Sequence, residues 1–198
     1  MNYEVLVDRE TMVVEQPGME FLELESRVLP VVDKDRKIIL EKVTAENWLK
    51  LVAAARQNGY DFDIGNGFRT NEYQEKIFNY YIEKIGYEAA IKRVAMPGYS
   101  EHQTGLSIDF DYFREVEEDG IMVSKIVQEL NEDDPEIKWI MANMADYGFI
   151  LRYPKDKIEI TGYNHEPWHI RYVGAELANY LTSNNLTLDE YHKNKKVY

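Results

Sequence analysis

Cysteine is absent from this 198-residue sequence, and no long apolar run interrupts its polar composition. Without cysteine there is no disulfide framework, no thiolate zinc ligand and no thiol nucleophile. Basic residues are also few, since 23 Lys and Arg stand against 36 Asp and Glu and give a net charge of −13. That charge argues against nucleic acid or an anionic membrane as a partner, because both attract basic surfaces.

The sequence also lacks the patterns of a secretory leader and of a membrane span. Its first residues, MNYEVLVDRE, have neither the basic start nor the apolar stretch of about 7–15 residues that a signal peptide needs. Nowhere do about 18 apolar residues run together. We therefore expect a cytoplasmic protein. The apolar fraction of 44% is enough for a core, and the length fits one domain over residues 1–198.

Helix and strand patterns are mixed along the chain, which indicates an α+β fold. Apolar runs predict a hairpin of strands 28–32 and 38–40, and further short strands at 60–64, 106–110, 149–153 and 168–173, of which the last two are close enough to pair antiparallel. Apolar periodicity and capping residues predict helices from Thr44 to Gly59, from Thr70 to Gly86 and from Asp134 to Gly148, with shorter ones at 87–95 and 175–182. We expect a loop at 65–67 and an irregular surface excursion at 114–134.

Two stretches, SEHQTGLSID at 100–109 and GYNHEPWHIRY at 162–172, place histidines beside acidic residues. Two neutral imidazoles and one carboxylate form a three-ligand zinc site that keeps a fourth position open for water. His102 from a loop, Asp109 from the strand after it and His169 from the later strand would supply such a set. Zinc lowers the pKa of its bound water to about 7.

Hydrolysis also needs a base that is not a metal ligand, and Glu166 stands three residues before His169. Pro167 interrupts regular strand pairing there, so both side chains can face one point. The spacing alone is not specific, because a histidine at a strand end is more often a hydrogen-bonded structural residue. His165 is a second histidine within reach of the metal, and the spacing leaves the choice between His165 and His169 open.

Longer motifs give a more specific signal. Residues 100–109 and 166–173 (EPWHIRYV) resemble the zinc D,D-carboxypeptidases of the VanY and VanXY type, and the similarity covers roughly residues 60–175. It includes the segments 67–70, 94–98, 147–150 and 160–163. The resemblance implies the fold shared with lysostaphin-like peptidases and the Hedgehog signalling domain, in which helices pack against a small antiparallel β-sheet.

The resemblance also implies a role for individual residues. It makes His102, Asp109 and His169 the ligands of one zinc ion, and Glu166 the general base. The implied substrate-binding residues are Arg69, which also stabilises transition-state oxygens, Gln74, Ser100 and Trp168. Arg171 is an alternative to Arg69 as the carboxylate-binding arginine, but we favour a paired charge on a strand for it.

The implied activity is hydrolysis of the D-Ala-D-Ala dipeptide and removal of the terminal D-Ala from the peptidoglycan precursor pentapeptide, as in vancomycin-type glycopeptide resistance. The expected partners are therefore small peptides that end in D-Ala-D-Ala. Two alternatives stay open. One is a phage endolysin-type peptidase that cleaves L-Ala–D-Glu bonds, and the other is a non-catalytic binding module stabilised by zinc.

Overall fold

Two antiparallel sheets and surrounding helices make up the computed structural model, which describes residues 1–14, 17–28, 32–33, 35–127 and 129–195. The strands are β1 (Phe21–Leu24), β2 (Ile38–Glu41), β3 (Asp61–Asn66), β4 (Ser107–Glu118), β5 (Ile121–Ile126), β6 (Phe149–Leu151) and β7 (His169–Tyr172). The helices are α1 (Lys42–Gln57), α2 (Asn71–Ile85), α3 (Tyr87–Arg93), α4 (Pro135–Asn143), α5 (Ile158–Thr161), α6 (Ala175–Ser183) and α7 (Leu188–Lys195). The predicted α+β class is confirmed. None of the helices in these ranges combines the length and the apolar character that crossing a bilayer requires.

The larger sheet positions the site. Its strands run in the order β3-β4-β7-β6, with β5 also paired to β4, and all its pairs are antiparallel. Asp109 on β4 lies directly opposite His169 on β7. Side chains that face each other across neighbouring strands share one face of the sheet, so these two project together. The predicted antiparallel pairing of the late strands is confirmed by β6 and β7.

The core lies between this sheet and helix α1. Trp48 is 2% exposed and contacts Phe110 of β4 and Phe149 of β6 with ring centroids 6.4 Å away in each case. The apolar positions of α1 recur at helical spacing, which buries one face of the helix. The helix begins earlier than predicted. Its N-cap is Glu41, whose carboxylate accepts hydrogen bonds from the backbone nitrogen and hydroxyl of Thr44, the predicted cap.

The hairpin prediction before α1 was half right. Strand 38–41 exists, but β1 rather than 28–32 pairs with it. Val28 and Val32 lie in bends, and residues 29–31 lie outside the described ranges. The reason is a competing contact. Arg27 forms ion pairs of 2.8 Å with both Asp61 and Asp63 on β3, which draws this segment onto the larger sheet.

Two loop predictions were wrong because strands continue through them. Residues 65 and 66 belong to β3, which has an irregular register between Ile64 and Asn66, as at a bulge. The acidic segment after residue 114 is the hairpin of β4 and β5. Asp119 (φ 49°) and Gly120 (φ 81°) form its turn, since two consecutive positive φ angles match the twist of paired strands. The predicted starts of two helices are confirmed, because Thr70 is the N-cap of α2 and Asp134 is the N-cap of α4.

Strand β2 braces both segments that carry site residues. The backbone nitrogen of Phe68 donates to the oxygen of Ile39 at 2.7 Å, and that of Glu41 donates to the oxygen of Gly105 at 3.0 Å. Gly67 lies so close to β2 that a β-carbon there would fall 2.4 Å from the Ile39 oxygen. The loop before α2 and the turn before β4 are therefore held side by side.

Candidate active site

His102, Asp109 and His169 converge on the wall of a cavity of about 630 Å³. One possible donor atom from each lies within 4.8 Å of the other two. Nε2 of His102 is 3.3 Å from Oδ2 of Asp109, and Nδ1 of His169 is 2.9 Å from Oδ1 of Asp109. The structure therefore brings together the three residues that the sequence predicted as metal ligands.

The local fold explains how His102 and Asp109, which are seven positions apart, come together. His102 lies in a 3-10 turn, Glu101–Thr104, which ends at Gly105. Gly105 has φ 72°, a left-handed conformation that glycine adopts at little cost, and it turns the chain into β4. Asp109 then follows as the third residue of that strand.

The outer nitrogen of each imidazole faces an acceptor. Nδ1 of His102 lies 2.8 Å from the carbonyl oxygen of Gly67, and Nε2 of His169 lies 3.5 Å from Oε2 of Glu101. The carbonyl of Gly67 holds the proton of neutral His102 on Nδ1 and leaves Nε2 free to bind a metal, whereas the carboxylate of Glu101 faces His169 from the side away from Asp109. Two imidazoles and one carboxylate, oriented in this way, fit zinc with three protein ligands and one open position.

Glu101 anchors the site from behind and was missed by the sequence reasoning. Its carboxylate is buried, and Oε1 is 2.7 Å from both Nε of Arg152 and Nη1 of Arg171. Burial alone would raise its pKa, but the charges of the two arginines lower it below the ordinary value. The paired role favoured for Arg171 is confirmed. No spacing rule points to Glu101, because its arginine partners stand 51 and 70 residues away.

Glu166 lies beside the metal ligands, with Oε2 3.9 Å from Nδ1 of His169 and a side chain that is 15% exposed. Burial raises its pKa to about 7 against the opposing charge of His169. A carboxylate with that pKa takes up and releases a proton near neutral pH, which suits a general base. The structure thus places Glu166 where the predicted role requires it.

The two histidines differ in their affinity for protons. Burial, together with the charge of Arg69, lowers the pKa of His102 to about 4. Burial also disfavours a charge on His169, but the hydrogen bond with Asp109 and the nearby carboxylate of Glu101 outweigh it and raise the pKa to about 9. His102 is therefore ready to ligate at neutral pH, whereas His169 must first lose a proton.

Arg69 lines the cavity, and its Nη2 donates to Oδ2 of Asp109 at 2.9 Å. Gln74 accepts from Nη1 of Arg69 at 3.3 Å and donates to the oxygen of Ala95 at 2.8 Å. The side chain of Gln74 is fully buried behind Arg69 and is not part of the cavity wall, so this position does not support the predicted substrate contact. It positions the arginine instead.

Ser100 and Trp168 both lie on the cavity wall, as predicted. His165 does not. Its Nδ1 is 2.9 Å from the oxygen of Tyr153, and its Nε2 is 2.7 Å from Oε1 of Glu132. The geometry therefore favours His169 over His165 as the metal ligand.

Asp111 is a second cavity residue that the sequence reasoning missed. Burial, and the negative charges of Asp109 and Asp63, raise its pKa to about 6. A signal for it existed in the sequence. Residues two apart on a strand share a face, so the strand that directs Asp109 into the cavity directs Asp111 there as well.

The family model described as "VanY: D-alanyl-D-alanine carboxypeptidase" matches residues 37–175. The match begins well before residue 60, the start of the resemblance that the motifs indicate. The earlier start agrees with the structure, because residues 37–41 include β2, which braces both site segments. The family therefore includes the strand that supports the site as well as the residues in it.

Two curated relatives support the same assignment. YodJ of Bacillus subtilis is 38% identical over 169 residues, which are 83% of this chain and 58% of YodJ. The bifunctional D-Ala-D-Ala dipeptidase and D-Ala-D-Ala carboxypeptidase VanXYC of Enterococcus gallinarum is 38% identical over 160 residues, 80% of each chain. The chain thus spans a little over half of the first relative and most of the second.

Solved structures extend the likeness to the fold. The vancomycin resistance D,D-pentapeptidase VanY from a VanB-type cassette, solved with Zn(II), has a TM-score of 0.77 and 30% identity over 96% of this chain and 99% of that one. The LdcB LD-carboxypeptidase has a TM-score of 0.75 and 31% identity over 95% and 84%. The predicted resemblance and fold are confirmed. The chain belongs to the VanY family of D-alanyl-D-alanine carboxypeptidases.

Proposed function

We propose that this chain is a zinc-dependent D,D-carboxypeptidase that removes the terminal D-Ala from peptides ending in D-Ala-D-Ala. The observation that carries the proposal is the convergence of His102, Asp109 and His169 in one cavity with Glu166 and Arg69. A buried carboxylate with a pKa near 7, next to a three-ligand metal set, is the arrangement that metal-assisted hydrolysis needs.

In the proposed reaction, water adds across the terminal peptide bond. Bound zinc supplies a Lewis acid and lowers the pKa of water. Glu166 removes a proton from the attacking water as its oxygen bonds to the carbonyl carbon. The C–N bond then breaks, and Glu166 returns the proton to the leaving amine of D-Ala. Arg69 directs its guanidinium donors at the negative charge that develops on the carbonyl oxygen or at the terminal carboxylate.

A second candidate is an L,D-carboxypeptidase, which removes D-Ala from an L-residue. It is favoured by one observation. The TM-score to the LdcB LD-carboxypeptidase, 0.75, is almost the same as that to VanY, 0.77. The same fold thus occurs with either activity, so we expect the cavity wall around the penultimate residue to distinguish them.

The proposal includes three finer points. The free D-Ala-D-Ala dipeptide is a further substrate, as the name of VanXYC states for that relative. The enzyme acts in the cytoplasm, where it meets the dipeptide and the soluble pentapeptide precursor. Loss of these D-Ala-D-Ala termini contributes to glycopeptide resistance.

The test measures D-alanine release from three substrates: the free dipeptide, the precursor pentapeptide and a tetrapeptide with an L-residue before D-Ala. We expect release from the first two, its loss with a chelator and its return with added zinc. Release from the tetrapeptide alone would instead establish the L,D activity. Lysis of cell walls without D-alanine release would favour the endolysin alternative, and an inert protein with stoichiometric zinc would favour the binding module.

A further inference from the structure

The side chain of Asp111 faces the cavity without a partner of its own. Among the residues that the structure describes, it takes part in no hydrogen bond and no ion pair. The charged groups that act on it are Asp109 and Asp63, both negative. The ionised form of a carboxylate that is partly buried beside other anions is unfavourable unless a cation binds to it.

The neighbouring carboxylates already have cationic or imidazole partners. Asp63 lies directly opposite Asp111 in the β3–β4 pair, and Nε of Arg27 is 2.8 Å from it. Asp109 is in contact with Arg69 and with both histidines of the metal site. Of these three carboxylates on one face of the sheet, Asp111 is therefore the one left to meet a ligand.

A glycine on the next strand makes room for this carboxylate. A β-carbon at Gly65 would fall 2.6 Å from Oδ2 of Asp111, which is closer than such atoms approach in proteins. The backbone of Gly65 does not have a positive φ, so the turn geometry does not require glycine there. The absence of a side chain at residue 65 is what lets the carboxylate of Asp111 occupy this position.

Asp111 is also at a suitable distance from the reacting bond. Residues i and i+2 on a strand are about 7 Å apart, so Asp111 lies one step along the cavity wall from the metal ligand Asp109. The carbonyl that is attacked must lie at the metal. In a dipeptide, the free amine is two bonds from that carbonyl carbon, about 2.5 Å away. A dipeptide whose N-terminal half runs along β4 therefore presents this amine to Asp111, which lines the same cavity.

We propose that Asp111 binds the free α-ammonium group of D-Ala-D-Ala and thereby determines specificity for the dipeptide. This inference rests on the proposed function and deepens it. A longer peptide has an uncharged amide N–H at the same position, which gains less from the carboxylate than an ammonium group does. Asp111 thus favours the dipeptide over the pentapeptide at the same metal site.

The test compares Asp111→Asn with the wild-type enzyme on two substrates that share one scissile bond, D-Ala-D-Ala and N-acetyl-D-Ala-D-Ala. We expect kcat/KM for the free dipeptide to fall about 10- to 100-fold, the range for a hydrogen bond to a charged group, mainly through KM. For the acetylated dipeptide we expect little change. The matched control is Glu115→Gln, which removes one negative charge from an exposed position on the same strand and should leave both substrates unaffected.

A second variant tests the same contact without removing the charge. Gly65→Ala places a methyl group against the carboxylate and should also impair the free dipeptide selectively. An equal loss on both substrates, or no loss on either, would overturn the role of Asp111.

The result also separates this inference from the proposed function. If the zinc-loaded wild-type enzyme hydrolyses neither substrate, the proposed function fails, and calorimetric binding of the same two dipeptides to wild type and Asp111→Asn replaces turnover. Tighter binding of D-Ala-D-Ala than of its acetylated form, lost in the variant, would still support the ammonium site. Equal binding of the two, or no binding of either, would refute it.

Discussion

Under the proposed function, turnover depends most directly on Glu166, because this carboxylate lies beside the predicted metal ligands and has a pKa of about 7. We expect Glu166→Gln to lower kcat about 10²- to 10⁴-fold, the usual contribution of a general base, while one zinc stays bound per chain. Turnover and metal content are measured on the same sample. Glu159→Gln, at an exposed position on α5, is the control. Near-normal turnover of Glu166→Gln would contradict the assignment.

His169 links metal binding to pH. Its pKa is raised to about 9, above the ordinary value of 6.5, so at neutral pH the ring carries a proton that zinc must displace. His102, with a pKa of about 4, is already neutral. Protons therefore compete less as pH rises, and we expect the apparent Kd for zinc to fall about tenfold per unit between pH 6 and pH 8. Competition with a chromophoric chelator measures it.

Two histidine variants control that experiment. His165→Ala should keep the same pH dependence and one zinc per chain, because His165 contacts Tyr153 and Glu132 instead of the metal ligands. His169→Ala should lose stoichiometric zinc. A pH-independent Kd in the wild type, or loss of zinc in His165→Ala, would show that the ligand set is assigned wrongly.

The sequence sufficed for the metal site but not for the residues that support it. Two long motifs contain His102 and His169. Their resemblance to the family pattern selects His169, and not His165, as the second histidine ligand. Gln74 and Glu101 act through contacts with residues distant in sequence, such as Ala95 and Arg171. Those contacts depend on how the elements pack, and no local pattern encodes them.

At the scale of elements, Arg114 fastens β4 to the start of helix α4. Its Nη2 lies 2.7 Å from Asp134 and 2.6 Å from Glu136, and these contacts are the main reason why the pKa values of both carboxyls are lowered. Lowered carboxyl pKa values stabilise the fold above about pH 4, where the unfolded chain is also ionised, and this stabilisation is lost as pH falls.

We therefore expect Arg114→Met to lower the free energy of unfolding by about 1 kcal/mol at pH 7, a small value because the side chain is 38% exposed. The difference should narrow at pH 4, since the two carboxyls then begin to protonate in the unfolded chain while their lowered pKa values keep them ionised in the fold. Urea unfolding at the two pH values measures both effects. Lys125→Met, which removes the exposed ion pair with Glu118, should have almost no effect. An equal loss at both pH values would mean that packing, not charge, is responsible.

Element prediction failed where the decisive signal was weak or non-local. The Asp119–Gly120 pair is a hairpin signal, but the acidic residues around it resemble a solvated loop, because the β4–β5 hairpin is largely exposed on both faces. The partner of β2 could not be read from the polar turn at 33–36. It depends on Arg27 reaching β3, more than 30 residues away. The cap at Thr70 is a local feature and was predicted correctly, whereas Glu41 and not Thr44 caps α1.

At the scale of the whole molecule, both ends of the described chain are tied to the back of the metal site. Arg171 donates to the carbonyl oxygen of Val5 at 2.7 Å near the N-terminus. Arg152 is paired with Asp189 on α7 near the C-terminus. Both arginines meet at Glu101, which faces His169. The residues outside the shared motifs thus help to hold a metal ligand in place.

A substitution at Asp189 tests whether helix α7 supports the metal site. Asp189 lies about 20 residues after His169, the nearest predicted ligand in sequence. Asp189→Asn keeps the size of the side chain but removes the charge that faces Arg152, whose remaining carboxylate partner is Glu101. We expect the free energy of unfolding to fall by about 2 kcal/mol and Tm by roughly 5 °C, because a hydrogen bond between charged groups is lost. Asp156→Asn, an exposed change, is the control.

Zinc content should stay at one per chain, since Arg171 still holds Glu101. An unchanged Tm would show that helix α7 does not support the site, and loss of zinc would show that both arginines are needed to keep His169 oriented.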